Sequence, residues 1–236
     1  MQTAKYKSQI TNYFLTWWTV LLRPIYFFTK LKEENWQERA LTFLLFNSWT
    51  VALAGTLVIF VVQYVPIGST LVEGVQGGKF IVILPVLITL AFVFFAITFL
   101  ILGGLLSLGF FLLFYLVGLI LHYVYIMLGG QGKMNRMIQG SFYSSAVITG
   151  GILVFLLMIL TKFAGLDFTL FRYGYNTIYF FMVVYVYGLW AVAGRKVYGV
   201  PKWQAFLGAL APVLAMLIFG VLFDKIALSR LQPWIS

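Results

Sequence analysis

From Phe80 to Leu128 the chain runs for 49 residues without one Asp, Glu, Lys or Arg. As a single helix this run would measure about 73 Å at 1.5 Å per residue, against a hydrocarbon core of about 30 Å. The rest of the 236 residues follows suit: 62% are apolar, 9% are charged, and the mean hydropathy is +0.99. Soluble domains are closer to half apolar and a quarter charged, so a water-soluble fold is excluded. The charged residues fall at the ends of long apolar runs or between them, as in a polytopic, all-α membrane helix bundle.

A 49-residue run is too long for one upright span, so it is expected to turn back or break. Gly103, Gly104 and Ser107 are the only plausible break. Splitting there predicts six spans, at 40–65, 80–102, 105–128, 141–163, 175–194 and 205–223, preceded by 1–39 and followed by a tail at 224–236. Pro66, Gly68, Gly74, Gly77 and Gly78 predict a loop after the first span. With the N-terminus inside, six spans place ten Lys and Arg in the cytoplasm and six outside. A five-span reading, with 80–102 re-entrant or interfacial, places eleven inside and five outside. Either count puts the N-terminus in the cytoplasm.

The first forty residues do not resemble a cleaved signal, and the N-terminus is expected to be retained. Ile10, Tyr13, Phe14, Trp17, Trp18, Leu21, Leu22 and Ile25 recur at helical spacing among polar residues, giving one apolar stripe. Residues 8–22 are therefore expected as an amphipathic helix in the membrane interface. Trp17 and Trp18 would sit at the headgroup boundary, with Lys5, Lys7 and Arg23 facing anionic lipid. The competing expectation is a helix packed on the membrane domain. Pro24 is suited to a first helical turn and predicts a second short helix within a cytosolic elbow reaching Gln37.

Few residues could carry chemistry. There is no cysteine and only one histidine, so neither thiolate catalysis nor a Cys- or His-rich metal site is available, and no cofactor is implied. No Gly-x-Ser-x-Gly, His-Glu-x-x-His or paired Asp occurs, which argues against an intramembrane enzyme. The net charge of +10 comes from dispersed basic residues without a nucleic-acid motif, so its natural partner is an anionic membrane face rather than nucleic acid. No carboxylate falls inside a predicted span, which argues against an acidic proton relay. The polar in-span residues are Asn47, Ser107, His122, Ser144, Ser145 and Thr149, with Asn176 near the start of the fifth span. Asn47 and Asn176 are expected to bond between helices. His122, followed by Tyr123 and Tyr125, is expected to be a structural residue near the interface. The junction from Gly129 to Ser145 carries Gly129, Gly130, Gly132 and Gly140, then Tyr143, Ser144 and Ser145. Four glycines so close together cost backbone entropy, so a specific, packed conformation is expected there, with Gly129, Gly130, Tyr143, Ser144 and Ser145 as the candidate interaction junction.

Three stretches together resemble the Yip family of multispanning membrane proteins. The first is Trp18 to Leu31, with Arg23-Pro24 and Phe27-Phe28, leading to Ala40-Leu41-Thr42-Phe43. The second is Leu128-Gly129-Gly130 closing one span and Gly140-Ser141-Phe142-Tyr143-Ser144-Ser145 opening the next. The third runs from Gly188 to Ala215, with Arg195, Lys196 and Lys202 in a short connector and Pro212 in the closing span. Val147 stands where many relatives carry proline, and the acidic-aromatic Gly-Pro element of eukaryotic trafficking members is absent. The chain thus resembles the prokaryotic branch more. The resemblance implies five spans, a bacterial or archaeal cell membrane, and a non-enzymatic scaffold or accessory protein. The implied partner is an ABC-type exporter, or a small GTPase as in eukaryotic members. A small transporter, flippase or pore with a polar path between spans is the alternative.

Overall fold

In lipid, a helix pairs its own backbone N–H and C=O groups, and any interruption exposes groups that nothing around them can satisfy. This constraint shapes nearly every element. The computed structural model describes residues 2–73 and 79–235, with side chains over 12–68, 70 and 83–233. The helices in chain order are α1 (Gln2–Leu22), α2 (Pro24–Lys30), α3 (Arg39–Ile59), α4 (Val65–Glu73), α5 (Lys79–Met127), α6 (Met134–Ser144), α7 (Gly151–Ala164), α8 (Phe168–Tyr198), α9 (Lys202–Phe223) and α10 (Ser229–Ile235). Among the described residues five helical segments are long and apolar enough to cross a membrane: Arg39–Gly68, Ile83–Met127, Met134–Ala164, Phe168–Tyr198 and Lys202–Pro233. The chain is an integral, multi-pass membrane protein.

The break expected at Gly103 and Gly104 is absent, and α5 is one continuous helix. Glycine only weakens a helix, by about 1 kcal/mol, whereas a turn inside lipid would orphan several backbone groups. Gly103 is also used for packing, since the Trp49 ring of α3 occupies the space where a Cβ would stand. Among the described residues there are thus five helical segments of spanning length where six were expected, with 80–102 and 105–128 forming one rod.

Two further boundaries differ from expectation. Pro66 and Gly68 lie inside helix rather than loop, while Gly74, Gly77 and Gly78 lie outside the described residues. The helix widens to a π turn at Phe60–Tyr64, where Val65 N–H reaches Phe60 O, just before the proline whose ring would crowd a regular turn. The tail at 224–236 is likewise not separate, because a second π turn at Asp224–Leu228 carries α9 into α10. One carboxylate, Asp224, thus falls within a spanning helix, contrary to the sequence reading.

α6 is the hub. Every residue from Met137 to Ile148 is buried, although this stretch includes Gln139, Ser141, Ser144 and Ser145. Glycines let neighbours approach: Ile138 faces Gly118 of α5, and Gly140 meets the Phe28 ring of α2 and Ala193 of α8. After Ser144 the helix tightens to a 3-10 stretch, Ser145–Gly150, before resuming as α7. Val147 lies in that stretch, so the tightening does not depend on a proline. Small residues four apart fall on both kinds of surface: Ser48 with Ala52 and Ala205 with Ala209 are buried, whereas Ala211 and Ala215 are exposed.

Candidate interaction site

α1 crosses the bundle rather than running along it. Tyr13 packs on Phe43 and Phe46 of α3, Trp17 reaches Thr149 in the 3-10 stretch, and the Tyr185 hydroxyl of α8 donates to Leu21 O. The single apolar stripe expected from the sequence serves two surfaces. Tyr13, Trp17 and Leu21 turn inward, while Phe14, Trp18, Leu22 and Ile25 are more than half exposed. The helix is therefore both packed on the membrane domain and apolar on its outer side. Of the expected interface residues, Trp18 and Arg23 are exposed, Trp17 is half-buried against the protein, and the side chains of Lys5 and Lys7 lie outside those described.

A polar seam joins α1, α3 and the 3-10 stretch that follows α6. The Tyr13 hydroxyl donates to Asn47 Oδ1, and Asn47 Nδ2 donates to Ser145 Oγ at 3.0 Å. Burial pushes the Tyr13 phenol up to about 12, so it remains a donor, and this fixes which way the Asn47 amide faces. Alongside, Trp17 Nε1 donates to Thr149 Oγ1 at 3.3 Å, and Thr149 donates to Ala146 O at 2.7 Å. Ser144 donates to Gly140 O at 3.0 Å, and Ser141 donates to Phe114 O of α5 at 2.6 Å. Tyr143 is buried against the rings of Phe27 and Phe43. The candidate residues Asn47, Tyr143, Ser144 and Ser145 are thus brought together at the hub, within the chain.

Gly129 and Gly130 lie at a different place, the near end, where the N-terminal connector and the α5–α6 and α8–α9 turns meet. Gly129 has φ +83°, and Gly199 in the opposing turn has φ +70°. A Cβ on Gly130 would stand 2.8 Å from Tyr125 O and from the Tyr198 Cβ, and one on Gly132 would stand 2.7 Å from the Tyr198 ring. Gln131 N–H donates to Tyr198 O at 3.1 Å, and His122 Nδ1 hydrogen-bonds the Tyr198 hydroxyl. The glycine turn therefore wraps the end of α8, with His122 holding the same tyrosine from α5. Three bonds add the N-terminal connector: Lys133 to Glu33 at 2.9 Å, Asn135 Nδ2 to Glu34 O at 3.1 Å, and an Arg136 guanidinium N–H to Leu31 O at 3.0 Å.

The sequence reading missed the central anchor. Tyr125, expected at the interface beside Tyr123, is fully buried, whereas Tyr123 is 62% exposed. Its ring occupies the space over Gly194 of α8 and Gly208 of α9, and its hydroxyl lies 3.0 Å from Trp190 O and 2.9 Å from Ala205 O. The available signal was helical phase: Phe114, Val117 and Leu121 precede it on one face, and all are buried. Also missed was the far-end cluster, where Arg172 binds Asp224 through two N–H donors at 2.7 and 2.5 Å and Asn176 Nδ2 donates to the same carboxylate at 3.2 Å. These residues are distant in sequence and meet only because α8 and α9 pair.

The family model described as the Yip1 domain matches residues 18–223. No curated protein and no solved structure matches the chain.

Proposed function

Since the chain belongs to the Yip1 domain family, we propose that it is a non-enzymatic membrane scaffold or accessory protein whose near end meets its partner. One observation carries the reading: Asn47, Ser141 and Ser145 bond between helices, Thr149 accepts from Trp17 of α1, and Ser144 bonds to its own helix, so these polar atoms are engaged within the chain rather than lining a route. The five spans favour a cytoplasmic near end. Lys30, Lys32, Arg39, Lys133, Arg136, Arg195, Lys196 and Lys202 lie in segments that meet there, eight basic residues against five (Lys79, Lys162, Arg172, Lys225 and Arg230) in segments at the other end. Among the described residues Lys32, Arg195, Lys196 and Lys202 have no carboxylate partner, leaving a basic face suited to an acidic cytoplasmic surface of a membrane-protein partner, such as an exporter subunit in a prokaryotic host.

Gln139 supports a second reading as a transporter or flippase. It is 2% exposed, and its Oε1 has no partner among the described groups, as a residue in a polar path would require. Co-purification from native membranes tests the first reading. Arg195→Glu with Lys202→Glu should abolish partner recovery with unchanged thermal stability, and Gly129→Ala with Gly130→Ala should lower both. Recovery equal to wild type in the charge-reversed protein refutes the near-end scaffold.

A further inference from the structure

Where α1 crosses the bundle it roofs an apolar groove of about 520 Å³. The groove is bounded by Trp17, Leu21 and Leu22 above, by Gly150 of the 3-10 stretch and Leu153 of α7, and by Ile178 and Phe181 of α8. Leu22 is shared with a second cavity in the elbow between α1 and α2, lined by Arg23, Tyr26, Thr29 and Lys30. The two adjoin at Leu22, which lines both; one is apolar in its side chains apart from Thr149 and Tyr185, and the other carries two cations. The groove extends from α1 toward the far end along α7 and α8, both of which are spanning helices, so its open side faces acyl chains. From Leu22 the chain climbs α2 toward the near end, where Leu31 O meets Arg136.

From this arrangement we infer that the α1–α2 elbow and the groove beneath it form one binding site for an anionic glycerophospholipid. An acyl chain lies along Leu153, Ile178 and Phe181, and the headgroup phosphate lies against Arg23 and Lys30. Charge complementarity selects the occupant. The acidic residues nearest in sequence are already engaged, Glu33 with Lys133 and Glu34 with Arg39, while Arg23 and Lys30 have no carboxylate partner among the described residues. Lys30 Nζ donates to the Tyr26 hydroxyl at 2.9 Å and lies 4.5 Å over its ring, which pre-positions the ammonium at the elbow. Both basic side chains are exposed. One acyl chain alone gives only weak, reversible attachment, and a neighbouring pair of cations supplies the second signal that retains a lipid.

The test uses the purified full-length chain in zwitterionic-lipid nanodiscs, titrated with dioleoyl phosphatidylglycerol or dioleoyl phosphatidylcholine and read by native mass spectrometry. Wild type should retain phosphatidylglycerol over phosphatidylcholine by about tenfold or more, given two cations near the headgroup. Arg23→Gln with Lys30→Gln should bring that ratio near one while retaining some lipid of both kinds. Leu153→Trp, at a position 53% exposed and hence tolerant of a larger side chain, should fill the groove and lower retention of both lipids. Equal retention by wild type, or a preference that survives the double glutamine substitution, overturns the assignment.

Discussion

Gly194→Ala should destabilise the protein although it improves the local helix, and the structure says by how much. In a free helix the exchange favours the folded state by about 1 kcal/mol. At position 194 the new methyl would fall within the space already filled by the Tyr125 ring. That ring cannot step aside: it is fully buried, lies equally against Gly208, and is held by a hydroxyl 3.0 Å from Trp190 O and 2.9 Å from Ala205 O. Overpacking of this kind costs roughly 1–3 kcal/mol. Tyr125→Ala, which empties the slot, should cost about 3–5 kcal/mol. In the double variant the methyl enters vacated space, so the combined loss should fall short of the sum by about 1–3 kcal/mol. Gly188→Ala is the control, because the same helix offers nothing within 4 Å of a Cβ there, and it should be neutral or stabilising. Reversible unfolding in mixed micelles, titrated with denaturing detergent, measures all four. If Gly194→Ala behaves like Gly188→Ala, or the pair adds within about 0.5 kcal/mol, the tyrosine is not wedged between the two glycines.

Asn47→Ala should leave both the Tyr13 hydroxyl and Ser145 Oγ without their partner, costing about 1–3 kcal/mol, and should loosen α1 before the rest of the fold. Hydrogen exchange over residues 12–22 is expected to rise in this variant while α8 stays protected, and uniform exchange across the chain would contradict the seam. A reporter fused after Gly130 should respond as a cytoplasmic one, since five spans return the chain to the N-terminal side there. An external signal at that position would restore the turn at Gly103.

The sequence by itself determined that this chain lives in a membrane, that it is all-helical, and where most spans lie, because apolar run length and charge placement are set by the bilayer and not by neighbouring helices. It also nominated the Gly129 to Ser145 junction for a specific conformation, although of its four glycines only Gly129 takes a positive φ. What it could not convey is how side chains far apart in the chain share space. Gly103 serves α5 as a packing position for the Trp49 ring rather than as a break, and the interior position of Tyr125 depends on Gly194 and Gly208 lying opposite it. The division of the α1 stripe into inner Trp17 and outer Trp18 depends on Thr149 and Tyr185 standing where α1 crosses. Hydropathy is alike on both sides of such a helix, because lipid and a packed neighbour are equally apolar to a side chain. Only the tertiary fold separates the face that meets protein from the face that meets lipid.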